Sequence, residues 1–473
     1  MKPETFRTYG HALVDWIAHY RERLPELSVW SHVSPGAIRA QLPLEPPEEP
    51  ESFEAVLADL EQIILPGLSH WQHPRFFGYF PANAALASVL GDMVSTGLGQ
   101  LGLNWQSSPA LTELEEQMTE WMRRLLGLAD GWRGVIQDTA STSTLVALIC
   151  ARERMTSHGA TRGGLQAEEL PLTVYCSGQS HSSVEKAALL AGFGRDNLRP
   201  IATDAAHALR PEVLVEAIQR DLAEGRRPCA VVATIGSTAT TAVDPLEAMV
   251  AICREYGLWL HVDAAMAGSA MILPECRWMW QGVEQADSLV LNPHKWLGVA
   301  FDCSLYYVRD PQHLIQVMST NPSYLQTSAD GIVTNYRDWG LPLGRRFRAL
   351  KLWFLLRLEG AAALRERLRR DLALAQWLAA QIDATEGWVR LNPVHLQTVC
   401  VRHEPPGLAD DALDRHTLDW IGRLNASGVA YLTPAVLDGR WMARISIGAE
   451  LTTQEDVAHL WQAMCAEVNG SQG

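Results

Sequence analysis

The 473-residue sequence lacks several features that define large protein classes. No GxxxxGKS element is present, so no P-loop nucleotide site is predicted. The eight cysteines show no CxxC or metal-ligand spacing, which favours reduced, mostly buried thiols and no metal site. No apolar run approaches the ~18 residues of a membrane span, and the amino terminus has no signal-peptide core. We therefore expect a cytoplasmic protein without a membrane partner.

Positive charge is also scarce. The chain carries 39 basic and 54 acidic residues, a net charge of −15. That balance argues against nucleic acid or an anionic membrane as a partner. With 47% hydrophobic residues, the sequence is long enough for a large core and more than one domain.

Two apolar segments end in residues with chemical functions. Residues 288–291 run into Asn292, Pro293, His294 and Lys295, and a lysine forms a Schiff base with an aldehyde when burial or a nearby cation keeps its amine neutral. Residues 257–262 end at Asp263, which either caps the next helix or pairs with a protonated pyridine nitrogen. Ala265 would then leave room for a flat ring.

A third segment, 134–137, runs into Asp138, Thr139, Ala140 and Ser141 and then a helical pattern. Hydroxyls and free amides at a helix start make a phosphate site, although a simple Ser/Thr N-cap produces the same pattern. Open α/β sheets bind ligands at the carboxyl ends of their strands. The order of phosphate site, acid and lysine resembles fold-type I enzymes that use pyridoxal 5′-phosphate (PLP).

The resemblance narrows to the group II amino-acid decarboxylases of the aromatic-L-amino-acid decarboxylase type, including bacterial dopa and tryptophan decarboxylases. It covers almost the whole chain. Its motifs stand in one order along the sequence: HP at 73–74, FFGYFP at 76–81, SSPA at 107–110, TELE at 112–115, HSSVEKA at 181–187, HVDAA at 261–265, NPHKW at 292–296, NPSYL at 321–325 and PLGRRFR at 342–348.

The family implies an α/β fold in three parts. Residues 1–81 would form an amino-terminal helical segment that wraps the partner subunit, and the helical spacing of Phe6, Leu13 and Ile17 agrees with an amphipathic helix there. Residues 82–360 would form a large PLP-binding domain of fold-type I, aspartate-aminotransferase-like, with a mainly parallel mixed sheet. Residues 361–473 would form a small α+β domain. The expected assembly is a homodimer with active sites at the interface.

The carboxyl-terminal part shows local patterns of its own. Residues 398–401 and 443–447 are candidate strands, and Thr452 to Glu455 reads as a capping box that opens a last helix. Arg444 resembles the carboxylate-binding arginine of related PLP enzymes, or it is a structural strand residue.

The resemblance also implies roles for individual residues. Lys295 would hold PLP as a Schiff base, Asp263 would pair with the pyridine nitrogen and His181 would stack on the ring. The catalytic residues would be Lys295, His181 and Tyr324, with Tyr324 protonating the alpha carbon. The further cofactor-binding residues would be Ala265, Thr139, Ala140, Ser141, Thr238, Asn292 and His294.

Tyr324 lies in a segment, 320–331, that is rich in small polar and turn residues. The pattern predicts a mobile lid, although an ordinary loop tyrosine is the alternative. Relatives with phenylalanine at this position resemble aldehyde synthases. Tyr324 therefore favours a simple decarboxylase.

The substrate class is predicted from residues 71–81, which are rich in aromatic side chains and contain Arg75 as the only cation. Such a segment favours an apolar pocket for a ring, although aromatic clusters are also common in cores. By resemblance the substrate-binding residues would be Trp71, Tyr79, Phe80, Pro81, Leu101, Leu103 and Gly344, with Leu101 and Leu103 reaching in from the neighbouring subunit.

The expected function is PLP-dependent decarboxylation of an aromatic L-amino acid, such as L-dopa, tryptophan or 5-hydroxytryptophan, to the amine and carbon dioxide. The alternatives are an aromatic aldehyde synthase, a decarboxylase of glutamate or histidine, and a silent binding protein. Two residues depart from the family pattern: Met266 replaces a common aromatic, and Asp138 replaces a glycine beside the phosphate site. Because of these two departures, the resemblance does not predict which aromatic ring is preferred or how tightly PLP binds.

Overall fold

The computed structural model describes residues 1–320, 329 and 331–469. It contains two compact units. The larger unit comprises Ala82–Ala375 and Leu391–Val399, and the smaller comprises Met1–Pro81, Gln376–Arg390 and the described residues from 400 onward. The three-part division at residues 81 and 360 stays a prediction.

The larger unit is built on a seven-stranded mixed sheet. Its strands are β1 (Arg133–Gln137), β2 (Leu172–Ser177), β3 (Leu198–Ile201), β4 (Arg227–Thr234), β5 (Trp259–Asp263), β6 (Ser288–Leu291) and β7 (Ser304–Val308). They lie in the order β1-β7-β6-β5-β4-β2-β3. Neighbours from β3 to β6 run parallel, whereas β7 is antiparallel to both β1 and β6. The predicted mainly parallel mixed sheet is confirmed.

Continuous apolar runs explain why these segments form central strands. Every residue of β2, β5, β6 and β7 is buried. A strand covered on both faces shows no polar alternation, which is the pattern of a parallel sheet flanked by helices. The helices of this unit are α3 (Leu86–Leu98), α4 (Pro109–Leu126), α5 (Ala140–Met155), α6 (Ser182–Leu190), α7 (Pro211–Ala223), α8 (Leu246–Tyr256), α9 (Pro311–Met318) and α10 (Ala349–Leu358).

One helix pair approaches too closely for any side chain at the crossing. A Cβ atom added at Gly91 on α3 would lie 2.6 Å from the carbonyl oxygen of Leu350 on α10. Glycine is therefore required there. The opposite side of α3 exposes large apolar residues, which are Leu86, Leu90, Met93, Val94 and Leu98.

A buried ion pair anchors the strand that leads to the predicted phosphate site. Arg345 donates to Glu115 of α4 at 2.6 and 2.9 Å, and also to the carbonyl oxygen of Ile136 on β1 at 2.7 Å. Glu115 in turn accepts the N–H of Ile136 at 2.8 Å. Two of the motifs shared with the family, TELE and PLGRRFR, thus contribute residues that fix β1.

The smaller unit contains most of a second sheet. The strands of this sheet are β8 (Trp388–Arg390), β9 (Thr398–His403), β10 (Thr433–Leu437) and β11 (Arg440–Ser446), in the order β10-β11-β9-β8, and the first two residues of β9 belong to the larger unit. β8 is antiparallel to β9, and β10 is antiparallel to β11. The helices of the smaller unit are α1 (Pro3–Arg23), α2 (Phe53–Asp59), α12 (Asp410–Ala426) and α13 (Gln454–Asn469), while α11 (Gly360–Asp383) includes residues of both units. The expected α+β character is confirmed.

The cap of α13 differs from the predicted capping box by one residue. Thr453, and not Thr452, begins the motif, because its hydroxyl accepts the N–H of Asp456 at 3.3 Å while the Asp456 carboxylate accepts the N–H of Thr453 at 2.9 Å. Thr452 instead donates to the carbonyl oxygen of Pro74 at 2.7 Å. A tertiary contact takes Thr452 out of the motif, which local spacing does not reveal.

All eight cysteines lie in the described part of the chain as free thiols, and seven of them are buried. Among the described residues, no cluster of three or more His, Cys, Asp or Glu side chains is placed to hold a metal ion. No helix in these ranges combines the length and apolarity needed to cross a membrane.

Candidate active site

Five strand ends meet at one edge of the larger sheet. The carboxyl ends of β2, β4, β5 and β6 share this edge because the strands are parallel. The end of β1 joins them, since β1 and β6 are both antiparallel to β7. Each of these strands is followed by a predicted site residue, so the edge is the place where α/β sheets bind ligands.

Lys295 projects from an unusual turn after β6. Pro293–Leu297 forms one wide helical turn, in which Lys295 departs from helical geometry at φ −96° and ψ −106°. Its N–H donates to the carbonyl oxygen of Asn292 at 3.0 Å, and its own carbonyl oxygen accepts from Asn83 at 3.4 Å. The flanking His294 and Trp296 are buried, while Lys295 is half-buried and is the most accessible residue of the turn.

Asp263 is the last residue of β5 and is 5% exposed. Its Oδ1 accepts the N–H of Ala265 at 3.0 Å, and its main chain is held by the N–H of Ile235 at 2.9 Å. The carboxylate is thus fixed at the sheet edge next to the half-buried Ala265. The following Met266 is 1% exposed, so its side chain belongs to the core.

His181 caps the start of α6, after β2. Its Nδ1 accepts the N–H of Ser183 at 3.1 Å, which places the ring proton on Nε2. Partial burial lowers the pKa of His181, the charge of Lys295 lowers it further and the charge of Asp263 opposes both. His181, Asp263 and Lys295 follow or end parallel strands of one sheet and so lie at the same edge, where the charges of Asp263 and Lys295 act on His181.

The predicted phosphate residues lie at the start of α5. Thr139 is the N-cap residue in an extended conformation, and within the described chain its side chain makes no capping hydrogen bond. The first N–H groups of a helix, here from Ala140 and Ser141 onward, have no partner inside the helix. Together with the helix dipole they attract an anion. Asp138 departs from that pattern, because its carboxylate accepts the N–H of Thr139 at 2.6 Å.

His294 and Asn292 are both buried beside this edge. The Nδ1 of His294 accepts the N–H of Cys303 at 2.9 Å, so the proton of the neutral ring lies on Nε2. Burial, with the nearby charge of Lys295, lowers the pKa of His294 to about 3. The amide oxygen of Asn292 is buried without a hydrogen-bond partner among the described residues. Such an atom is a place for a donor from a ligand or water.

Thr238 follows β4 at the same edge and is exposed. The turn before it is fixed, because the N–H groups of Gly236 and Ser237 both donate to the carbonyl oxygen of Ala242, at 2.9 and 3.0 Å. Gly236 has a φ of +82°, which favours glycine.

The structure also brings together two predicted substrate residues of the larger unit. A Cβ atom at Gly344 would lie 2.9 Å from Cδ1 of Leu101, and Leu101 is 55% exposed. The N–H of Leu103 donates to the Ser107 hydroxyl at 3.3 Å. A larger residue at position 344 would require Leu101 to move.

The other predicted substrate residues belong to the smaller unit. Trp71 stacks on Tyr79 at a ring-centroid distance of 5.3 Å. Tyr79, at φ +52°, donates its N–H to the hydroxyl of Thr433 at 2.7 Å. Phe80 lies under the guanidinium of Arg444 at 4.3 Å, and Pro81 is buried.

Sequence reasoning missed two members of this aromatic cluster. Tyr431 lies 6.0 Å from Tyr79 between ring centroids, and Trp30 stacks on Tyr431 at 4.2 Å. Neither belongs to a motif, and the family resemblance carried no signal for them. Arg444, whose role was left open, donates to the carbonyl oxygen of Tyr79. Burial lowers the pKa of Arg444 to about 10.

Tyr324, the predicted proton donor, lies outside the described residues, as does most of the predicted lid.

The donor set suits PLP. A lysine amine, a fixed carboxylate and a neutral imidazole surround an open edge that begins at a helix amino terminus, and the orphaned amide oxygen of Asn292 marks a polar position to be filled. These are the groups needed to hold an aldehyde, a ring nitrogen, a ring face and a phosphate. The fold and this edge define a PLP enzyme of fold-type I.

Comparison with known proteins identifies the family. The pyridoxal-dependent decarboxylase conserved domain matches residues 35–404. Over its full length the chain is similar to the phenylacetaldehyde synthase of Arabidopsis thaliana, with 40% identity covering 99% of this chain and 97% of the relative. It is equally similar to the aromatic-L-amino-acid decarboxylase of Bos taurus, with 40% identity covering 100% and 98%. The structure of Oryza sativa TDC with PLP and tryptamine superposes with a TM-score of 0.97 at 34% identity, covering 100% of this chain and 99% of that one.

The chain belongs to the pyridoxal-dependent decarboxylases, and its relatives place it with the group II aromatic type. It is an enzyme of the carboxy-lyase class with PLP as its cofactor.

Proposed function

We propose that this enzyme decarboxylates an aromatic L-amino acid to the aromatic amine and carbon dioxide. The observation that carries the proposal is the convergence of Lys295, Asp263 and His181 at one sheet edge, beside the start of α5. When bound, PLP accepts the electron pair that the breaking bond to the carboxyl group releases. The residues of the chain hold and orient the reactants.

Each of the three residues has a distinct task in this proposal. The Lys295 amine holds the cofactor aldehyde. The Asp263 carboxylate, fixed by the N–H of Ala265, favours a protonated ring nitrogen because opposite charges stabilise each other. His181 stays neutral near pH 7 because its pKa is lowered, so it offers a ring face and an Nε2–H without adding positive charge.

The phosphate would be held by main-chain N–H groups at Ala140 and Ser141 and by the side chains of Thr139 and His294. The amide oxygen of Asn292 would accept a hydrogen bond from a donor elsewhere on the cofactor or from water. His294 is neutral, with its proton on Nε2, so it serves as a hydrogen-bond donor and not as a cation. Thr238 and Ala265 would line the ring.

An aromatic substrate is supported by the residues and by the relatives. Trp71 and Tyr79 form an aromatic cluster with Tyr431 in the smaller unit, and the ring of Phe80, the next residue after Tyr79, lies against Arg444. Arg75, the only cation of that segment, donates to the Pro25 carbonyl oxygen at 3.5 Å, so it is engaged locally and gives little support for glutamate as the substrate. Tryptophan and tyrosine decarboxylases from plants are 38–40% identical to this chain.

A homodimer with active sites at the interface is part of the proposal. The exposed apolar residues of α3, together with the exposed Leu101, are typical of a surface that a second protein covers. Leu101 and Leu103 of one chain would enter the active site of the partner subunit. Gly344 of that same chain lies beside Leu101, so it would line the same site. We also propose a cytoplasmic location and the domain limits 1–81, 82–360 and 361–473.

A second candidate function is oxidative conversion of the same amino acid to an aldehyde. Similarity to a phenylacetaldehyde synthase is as high as to an aromatic decarboxylase, at 40% identity in both cases. Tyr324 favours the decarboxylase, since phenylalanine marks the synthase-like relatives.

The deciding experiment incubates the PLP-loaded enzyme with L-dopa, tryptophan, 5-hydroxytryptophan, phenylalanine and tyrosine, with histidine and glutamate as outgroups. Products are identified by mass while released carbon dioxide is measured. Amine in equal amount to carbon dioxide from aromatic substrates supports the proposal. Aldehyde with ammonia would support the synthase, and turnover of glutamate or histidine alone would contradict the aromatic assignment.

A further inference from the structure

An acidic side chain stands at the entrance of the proposed phosphate site. Asp138 lies between the end of β1, at Gln137, and the N-cap residue of α5, Thr139. Its half-buried carboxylate accepts the N–H of Thr139 at 2.6 Å. The Thr139 N–H, a hydrogen-bond donor beside the proposed phosphate site, is therefore already bound to the Asp138 carboxylate.

The cation that interacts electrostatically with Asp138, Arg348, is already paired with another carboxylate. Arg348 donates through Nε and Nη2 to the two carboxylate oxygens of Asp302, at 3.0 and 3.1 Å. Burial alone would lower the pKa of Arg348, but Asp302, with smaller contributions from Cys303 and Asp138, raises it. The guanidinium of Arg348 is therefore neutralised mainly by Asp302, and His294 is neutral.

We propose that Asp138 weakens the binding of PLP to this enzyme by opposing its phosphate group. The inference rests on the proposed placement of the phosphate at the start of α5. A carboxylate and a phosphate repel each other at short range, and the repulsion is reduced when salt screens it. The Thr139 N–H that Asp138 accepts is also less available to the phosphate.

The test measures cofactor affinity. Purified holoenzyme is dialysed to equilibrium against a series of PLP concentrations, and bound cofactor is read from visible absorbance. Asp138→Asn removes the charge and keeps an oxygen for the N–H of Thr139, so it should bind PLP about tenfold more tightly at low salt, equal to about 1.4 kcal/mol. The gain should shrink at high salt. The control Asp196→Asn removes an exposed charge elsewhere in the larger unit and should leave the affinity unchanged.

A second probe isolates the phosphate. Pyridoxal has the same aldehyde and ring without the phosphate, so Asp138→Asn and the wild type should bind it equally. Asp138→Gly, which removes the oxygen as well, should bind PLP at least as tightly as Asp138→Asn. Equal or weaker PLP affinity in both variants, or the same gain for pyridoxal as for PLP, would overturn the inference.

These outcomes are separate from a failure of the proposed function. If the enzyme does not hold the cofactor through a Schiff base, neither PLP nor pyridoxal will produce the expected absorbance in the wild type or in either variant, and both proposals fall. If PLP binds and aromatic amines are produced while the variants match the wild type in affinity, only the role of Asp138 is wrong.

Discussion

At the scale of single residues, Lys295 is the residue proposed to hold the cofactor through a Schiff base. Lys295→Ala should abolish the visible absorbance of bound PLP and all amine production, because the substitution removes the amine proposed to form the Schiff base. Absorbance spectra of purified protein measure this directly. Lys186→Ala, which removes an exposed lysine on α6, should keep both signals. An unchanged spectrum in Lys295→Ala would assign the cofactor to another lysine.

Tyr324 is the residue predicted to determine whether the product is an amine or an aldehyde. We expect Tyr324→Phe to shift the products from amine towards aldehyde, since the phenol that would protonate the alpha carbon is lost while the ring is kept. The ratio of amine to aldehyde, with ammonia and carbon dioxide measured in the same reaction, is the readout. Amine output at the wild-type level would remove Tyr324 from the mechanism.

Lys295 and Asp263 were predictable as site candidates because each follows an apolar strand. Such a pattern is recognised from residues that are adjacent in the sequence, without knowledge of tertiary contacts. The contacts of Tyr79 with Tyr431 and Arg444 were not predictable, since they join residues 352 and 365 positions apart. Such contacts depend on the packing of the whole unit.

At the scale of elements, His261 joins three pieces of the site. It lies on β5, with Nδ1 at 2.8 Å from the hydroxyl of Ser288 on β6 and Nε2 at 3.4 Å from the hydroxyl of Thr144 on α5. It is fully buried, and burial lowers its pKa to about 4, with the charge of Asp263 opposing the shift. The strand that ends in Asp263 is thereby tied to the helix that begins the phosphate site.

This burial makes stability depend on pH. An unfolded histidine has a pKa of about 6.5, so between that value and about 4 the unfolded state binds the proton and the folded state does not. The contribution of His261 is present above pH 6.5 and is lost as the pH falls below it. Between pH 7.5 and 5.5 the loss is about 1.4 kcal/mol in the free energy of unfolding.

His261→Gln should therefore show a smaller loss of stability on acidification than the wild type, by about 1.4 kcal/mol, although it is less stable at pH 7.5. Urea unfolding of the PLP-saturated enzyme at both pH values measures the difference. His459→Gln, which changes an exposed histidine on α13, should follow the wild type. Identical pH dependence in all three proteins would mean that His261 is not held neutral.

Five of the eleven described strands, β1, β5, β6, β9 and β11, were predictable from apolar runs, and the order of the strands was not. β7 lies between β1 and β6, so the phosphate strand and the lysine strand are not neighbours. Residues 304–308 look locally like any other buried strand. The antiparallel insertion is set by long-range pairing, for which the sequence offers no local signal.

At the scale of the whole molecule, the site is expected to need two chains. Leu101 is exposed in the single chain and contacts Gly344, which is a predicted substrate residue. Contact of apolar side chains with water is unfavourable, so a large apolar patch on a single chain is typical of a surface that another chain covers. The resemblance to the family assigns Leu101 to the active site of the partner subunit. The local sequence pattern around Leu101 does not predict this role.

Mixing two inactive variants tests this arrangement. Lys295→Ala removes the amine, and Leu101→Arg should place a charge in the partner's apolar pocket. In a mixed dimer one site would combine the intact Lys295 of one chain with the intact Leu101 of the other, while the second site would carry both changes. Equal mixing with full exchange should thus restore about one quarter of the wild-type sites in a twofold-symmetric dimer.

The experiment separates assembly from catalysis. Light scattering first establishes that each variant is dimeric, and two affinity tags then isolate the mixed dimer. Amine production by the mixed dimer, with neither parent active, would place Leu101 and Lys295 of different chains in one site. A mixed dimer that forms and stays inactive would contradict the shared site, because each catalytic centre would then be built from one chain alone, and the exposed face of α3 would serve assembly without shaping the substrate pocket.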